Sequence, residues 1–245
     1  MRGLSIAATL FGLAVSGPGT APALAGSFSV TPMRVALSAA KPVAALELHN
    51  DGAEASVVQL ELVGWTQANN ADVYAATAEL LATPPILTLP PGGSRVVRIG
   101  LRRAPDRDRE LTYRLYIQEV APPLTDAFQG MRMTLKVGVP VFVASVAKSK
   151  PQLQWRSVAG PDGAIKLTLT NSGNEHVKIT DLELSQAEGA RTSGVQKVST
   201  YVLPGQSRDW LVKMDGSVAA GSALRLKAHT DGSAELAAKL TLEAT

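Results

Sequence analysis

The chain has 245 residues, a formal charge of +3, 4% aromatic residues and no cysteine. That length suffices for one large or two modest domains with real cores, and the few aromatics leave Val, Leu, Ile and Ala to build them. Without cysteine, thiol catalysis, zinc–thiolate sites and disulfides are excluded, and basic residues scattered rather than gathered into an aromatic-interleaved stripe argue against nucleic acid.

Arg2 supplies a positive start, Leu4 to Val15 is a short apolar run, Gly17-Pro18-Gly19 breaks it, and Ala23-Leu24-Ala25 sets small residues before a cleavage point. This pattern predicts a secretory signal peptide over residues 1–25. The run is shorter than the roughly 20 apolar residues a spanning helix needs. No later segment is long and apolar enough, so the mature chain is expected to be exported and not membrane-embedded. It must be held by packing and by β-ladders.

Past Ala25, alternation dominates. Phe28 and Val30, then Val35 and Leu37, suggest a first strand broken at Pro32. Val43 to Leu48 alternates and runs into the turn signal Asn50-Asp51-Gly52. Ser56 to Trp65 puts Val58, Leu60 and Leu62 on one face; Ile86 to Leu89 is bounded by prolines; Arg95 to Leu101 puts Val97, Ile99 and Leu101 on one side. Leu111 to Val120 follows the charged turn Asp106 to Arg109, and Met131 to Val143 is long and strongly alternating. Ala75 to Leu81 is the one stretch with a helical reading. Ala144 to Pro151 breaks the pattern, which places a domain boundary there: 26–146 and 147–245.

The second half repeats the signature. Ile165, Leu167 and Leu169 lead into Asn171-Ser172-Gly173-Asn174, Val177 to Leu184 is a strand, and Leu203-Pro204-Gly205 precedes Trp210 to Val212. Leu224, Leu226 and Ala228 alternate, and Asp231-Gly232 turns into Leu236 to Leu242 as a hairpin. Short strands at this spacing indicate an all-β chain of sandwich type.

Catalytic constellations are missing. His49, His176 and His229 stand apart, with no HxxxH spacing. The GxSxG elbow, the GxxxxGK[ST] loop and a dinucleotide GxGxxG are absent. Ser145 and Ser149 beside Lys148 and Lys150 read as a solvated linker rather than a Ser–Lys dyad. No catalytic residue, metal site or cofactor is expected.

The informative run is Met131 to Val143. Met131, Met133, Leu135 and Val137 point one way; Arg132, Thr134 and Lys136 point the other. Pro140 within it implies an edge or a strand end. Taken alone, the run reads as a core-facing strand. The functional alternative is a strand offered to a partner by β-augmentation, with two adaptable methionines at its start.

A series of short pieces, from Phe28-Ser29-Val30-Thr31-Pro32-Met33-Arg34 onward, resembles the PapD-like periplasmic pilus chaperones. Its members are Leu48-His49-Asn50, Thr83-Pro84-Pro85, Leu89-Pro90-Pro91-Gly92 and Val97-Arg98-Ile99, then Asp108-Arg109-Glu110, Tyr113, and Gln118-Glu119-Val120-Ala121-Pro122-Pro123. The resemblance runs from about Phe28 to Val143; the second half matches only in kind.

The resemblance implies two immunoglobulin-like β-sandwich domains in an L or boomerang shape, and a periplasmic chaperone without turnover. Such a chaperone donates its long strand to pilus or fimbrial subunits that lack one, and an outer-membrane usher then exchanges it. Met131, Met133, Leu135 and Val137 align with the donated side chains; burying four such groups contributes about 6–12 kcal/mol gross before ordering costs. Arg34 aligns with the arginine that grips the subunit's C-terminal carboxylate. Arg98 and Glu110 are assigned to polar contacts within the first domain. The family's second cleft base, a lysine, is replaced by Pro140, and the arginine of its interdomain salt bridge by Ala144. Lys136 and Arg95 are the substitute bases, and the Pro140-Val141-Phe142-Val143-Ala144 form resembles the archaic and alternative branches. Self-association of the client-free protein is left open. The competing readings are an exported β-sandwich enzyme and a structural pilus component or adhesin.

Overall fold

The computed structural model describes residues 28–121, 133–188, 192–232 and 235–244. Residues 1–25, read from the sequence as a signal peptide, and Met131 lie outside these residues.

Within the described residues the first half forms ten strands: β1 (Phe28–Thr31), β2 (Val35–Leu37), β3 (Val43–Asn50), β4 (Ser56–Ala68), β5 (Ala71–Ala76), β6 (Leu80–Thr83), β7 (Ile86–Leu89), β8 (Ser94–Leu101), β9 (Leu111–Glu119) and β10 (Lys136–Val143). The second half forms β11 (Leu153–Ala159), β12 (Ile165–Asn171), β13 (Val177–Gln186), β14 (Thr192–Val202), β15 (Gln206–Val212), β16 (Ala223–Thr230) and β17 (Glu235–Thr241). One sheet of the first half has the order β1-β3-β8-β6; the other has β2-β10-β9-β4-β5, with β7 also on β4. The second half pairs a sheet β11-β12-β15 with a sheet β14-β13-β16-β17.

Alternation puts one face of each sheet inward, and the two faces meet. Leu46, Leu48, Val97, Ile99, Leu115 and Ile117 form one core, with Val139, Val141 and Val143 of β10. Leu167, Leu169, Ile179, Leu184, Leu224 and Leu226 form the other. These are two immunoglobulin-like sandwiches. The break at Pro32 has a structural meaning: β1 pairs with β3 in one sheet, while β2 pairs with β10 in the other. The N-terminal segment thus switches sheets.

Both halves use the same buried asparagine turn. Asn50 donates through Nδ2 to the carbonyls of Glu54 (2.7 Å) and Leu89 (3.1 Å), and its Oδ1 accepts from Gly52 N–H (2.9 Å). Asn171 repeats this with Glu175 (2.7 Å), Val202 (3.3 Å) and Gly173 (3.0 Å). A buried amide is tolerated only because its donors and acceptor are matched. Each asparagine fixes the turn that follows a strand and ties it to a proline-containing turn, where Gly92 and Gly205 take φ of 60° and 72°.

Two expectations are corrected, and four strands fall where the sequence analysis placed none. Ala75 to Leu81 is not helical: it covers the end of β5 and the start of β6, where Leu80 and Ala82 are buried and Leu81 exposed, a period of two. Among the described residues of the long alternating run, the regular ladder begins at Lys136, opposite Gln118 near the end of β9. Strands β5, β6, β11 and β14 carry no clear alternation in sequence. All six residues of β5 are exposed, so it has no apolar face to read.

Leu115 is fully buried between the sheets of the first half. Leu115→Ala is expected to lower unfolding stability by about 2–5 kcal/mol through a cavity, measured by urea denaturation with the slope unchanged.

Candidate functional site

β10 is held unequally on its two sides. It pairs with β9 along its whole length, from Lys136↔Gln118 to Val143↔Leu111. On the other side β2 reaches only Val141, Phe142 and Val143. Among the described residues, 136–140 therefore have a neighbour on one side only, and Pro140, which has no N–H to donate, falls in this stretch. Its apolar row sinks gradually into the first core. Met133 is 60% exposed, Leu135 and Val137 are half-buried against the core, and Val139 is fully buried. The segment before β10 stays tied to β9: Glu119 N–H donates to the Leu135 carbonyl (2.9 Å), and Leu135 N–H donates to the Glu119 carboxylate (3.3 Å).

The outer face beside this edge carries a ladder of cations and rings. Lys136 Nζ lies 4.4 Å from the Tyr116 ring, Tyr116 meets Tyr74 edge-on at 5.7 Å, and the Arg114 guanidinium lies 4.3 Å from the Trp65 ring. Gly138 leaves room for it: a Cβ there would stand 3.2 Å from Arg114 Cδ and 3.3 Å from Tyr116 Cε1. An open edge with a half-wet apolar row is suited to receive an extended chain, since unpaired N–H and C=O groups are a template for pairing.

Between the two sandwiches lies a cleft of about 480 Å³ lined by Arg34, Phe142, Ala144, His176, Lys178 and Asp231 among others. Arg34 Nη1 makes a 2.7 Å ion pair with Asp231 Oδ2, which joins the first half to the β16–β17 turn. Lys136 and Arg95 are not brought to this cleft. Lys136 is on the outer face above Tyr116, and Arg95 is exposed on β8, donating to the Ser94 carbonyl (3.0 Å). The cleft's other basic residue is Lys178, which no sequence signal singled out: its place follows from the neighbouring pairings of Ile179 with Thr230 and of Lys178 with Tyr201.

The joint beside the cleft is aromatic and polar. Phe142 of β10 stacks on the His176 ring at 3.6 Å and 8°, and Trp65, Tyr201 and Leu203 complete the cluster. Glu110 does not act within the first domain alone. Its Oε2 lies 2.7 Å from His176 Nδ1 and accepts from His176 N–H (3.0 Å), and both side chains are largely buried. Arg98 is exposed on β8. Gln67 donates to the Tyr201 carbonyl and accepts from Leu203 N–H, both at 3.0 Å, and Arg208 pairs with Asp72 and the Asn70 carbonyl. These contacts join the first sandwich to the second. Ser149 and Ser145 are engaged elsewhere, on Glu175 and on the Ala147 carbonyl.

On the far side of the joint a hollow of about 530 Å³ is lined by Glu79, Arg103 and Tyr113. Tyr113 O–H donates to Glu79 (2.5 Å), and Arg103 pairs with the same carboxylate. The Tyr113 hydrogen bond, then the Arg103 contact, hold the Glu79 carboxyl below its ordinary range. Burial raises the Tyr113 hydroxyl.

Residues 27–145 match the family described as "Pili and flagellar-assembly chaperone, PapD N-terminal domain". The chain is 24% identical over 152 residues to a CFA/I fimbrial protein of Escherichia coli, covering 61% of this chain and 63% of that protein. It thus spans less than two thirds of that relative. A chain from the CsuC-CsuE chaperone–tip adhesion subunit pre-assembly complex of Acinetobacter baumannii superposes with a TM-score of 0.65 at 18% identity, covering 88% of this chain and 99% of that one. The E. coli chaperone DraB superposes with a TM-score of 0.60 at 18% identity, covering 91% and 99%. At these identities the structures show a common fold.

Two outcomes follow from the joint. Phe142→Ala is expected to destabilise by about 3–5 kcal/mol and to loosen the two sandwiches, read as a broader distance distribution in small-angle scattering. Glu79 is a depressed carboxylate, so its contribution is present above the unfolded glutamate pKa of about 4.3 and is lost as pH falls through the lower folded value. In acid titrations followed by circular dichroism, Glu79→Gln should flatten this part of the stability loss.

Proposed function

We propose that this chain, PapD-like across residues 27–145, is a periplasmic chaperone that holds fimbrial subunits by lending them a strand and hands them to an outer-membrane usher. The observation that carries this reading is the one-sided edge of β10 with its row of Met133, Leu135 and Val137 at the rim of the core. A pilin sandwich missing one strand has unpaired edges and an open core. Laid against residues 133–140, it gains ladder hydrogen bonds on the side where β10 has none. Met131, Met133, Leu135 and Val137 then fill its groove.

The gain is uneven along the strand. Burying an exposed side chain of this size contributes roughly 1.5–3 kcal/mol. Met133, 60% exposed, has somewhat more than half of that available, while Leu135 and Val137 already realise most of it in their own domain. A grip that is sufficient but incomplete suits a complex that must be dismantled at the usher.

Arg34 sits at the mouth of the cleft, where a subunit's C-terminal carboxylate is gripped by a charge-assisted contact worth about 1.5–3 kcal/mol. The signal peptide over residues 1–25, the division at 146/147 and the absence of turnover belong to the same reading. When no subunit is bound, the open edge offers a contact to a second copy.

The test is co-expression with the neighbouring pilin-like protein. A one-to-one complex should form, and the pilin should be degraded without this chain. Leu135→Asp should abolish protection by setting a charge in the groove, and Arg34→Ala should weaken binding by about ten- to a hundredfold. Normal protection by both variants overturns the site assignment.

A further inference from the structure

We infer that Arg34 and Lys178 make up one carboxylate site in the cleft, and that the free protein keeps this site filled with its own Asp231. The inference rests on the proposed role of Arg34 and deepens it: it supplies the second cation that Pro140 removes and adds a competitor built into the chain.

The geometry is local and consistent. Asp231 lies on the turn that leaves β16, and its N–H donates to the Lys178 carbonyl at 3.3 Å. Lys178 is in register with Tyr201 across the β13–β14 ladder, and its Nζ lies 5.3 Å from that ring. Among the described residues, no carboxylate pairs with Lys178. Burial raises the Tyr201 hydroxyl, the Asp231 charge raises it further and the Arg34 charge opposes this, so both charges act on the same hydroxyl. The ion pair itself is half in water: Arg34 is 53% exposed and Asp231 32%.

A carboxylate on a short tether is chemically the same ligand as the end of a polypeptide. An exposed pair of this kind is weak, so an incoming carboxylate can take Arg34. The released Asp231 remains beside Lys178, whose ammonium is free to accept it or to share the newcomer. A purely structural strut would behave differently: removing it would loosen the joint without changing how the cleft distinguishes a carboxylate from an amide.

The probe is a peptide copying the C-terminal strand of the co-expressed fimbrial subunit, made as free acid and as C-terminal amide, titrated into the full-length protein at low salt. Asp231→Asn should tighten binding of the acid about two- to fivefold, the most an exposed pair offers, and leave the amide unchanged. Lys178→Ala should weaken the acid alone, and added salt should shrink both effects. If Arg34→Ala weakens the acid while Asp231→Asn leaves it unchanged or weaker, the internal competitor is refuted and the proposed function stands. If Arg34→Ala treats acid and amide alike, the cleft anchor falls, and this inference with it.

Discussion

Everything distinctive here follows from how β10 is paired. A strand inside a sheet has its backbone groups satisfied on both sides; β10 has β9 along its full length but β2 along only three residues. β2 is short because the N-terminal segment begins in the opposite sheet, as β1, before crossing at Pro32. The edge is thus left open by the route of another strand and not by any property of β10 itself. An open edge is ordinarily a hazard. Here it is short, flanked by Lys136, interrupted by Pro140 and backed by a core that seals fully from Val139 onward.

The same strand also fixes the joint. Its outer end carries the half-buried row, and six residues after Lys136 its Phe142, still paired within the sheet, turns its ring away from the first core to stack on His176 of the second half. Trp65, on β4, lies 6.0 Å from Phe142 and beneath Arg114, which belongs to the ladder beside the open edge. A contiguous set of rings and cations therefore runs from the edge to the joint. The buried Glu110–His176 hydrogen bonds and the Arg208–Asp72 pair give that joint direction, because hydrogen-bonded polar groups with little access to water tolerate little displacement from their partners. A chain without cysteine holds two domains in a defined relation by these means.

The cleft uses weaker forces. Its Arg34–Asp231 pair is wet, and its basic residues come from different sandwiches. The contrast is physical: the joint is largely buried and holds its partners in place, whereas the cleft is exposed, where an ion pair is worth little and reforms quickly.

Much of this was written in the sequence. Alternation located most strands, because each sheet buries one face and a period of two records that directly. Asn50-Asp51-Gly52 and Asn171-Ser172-Gly173 announced matching turns, and the resemblance over Phe28 to Val143 directed attention to the strand on which the proposed function rests. What sequence could not determine is which groups meet. β5 faces water on both sides and has no pattern. Glu110 finds its partner 66 residues away, and Lys178 stands by Arg34's cleft only because β13 is flanked by β14 and β16. Local periodicity records burial, which each residue decides against solvent. Partnership between charges is decided by strand order and by the packing of one sandwich on the other, and these exist only once the chain has folded.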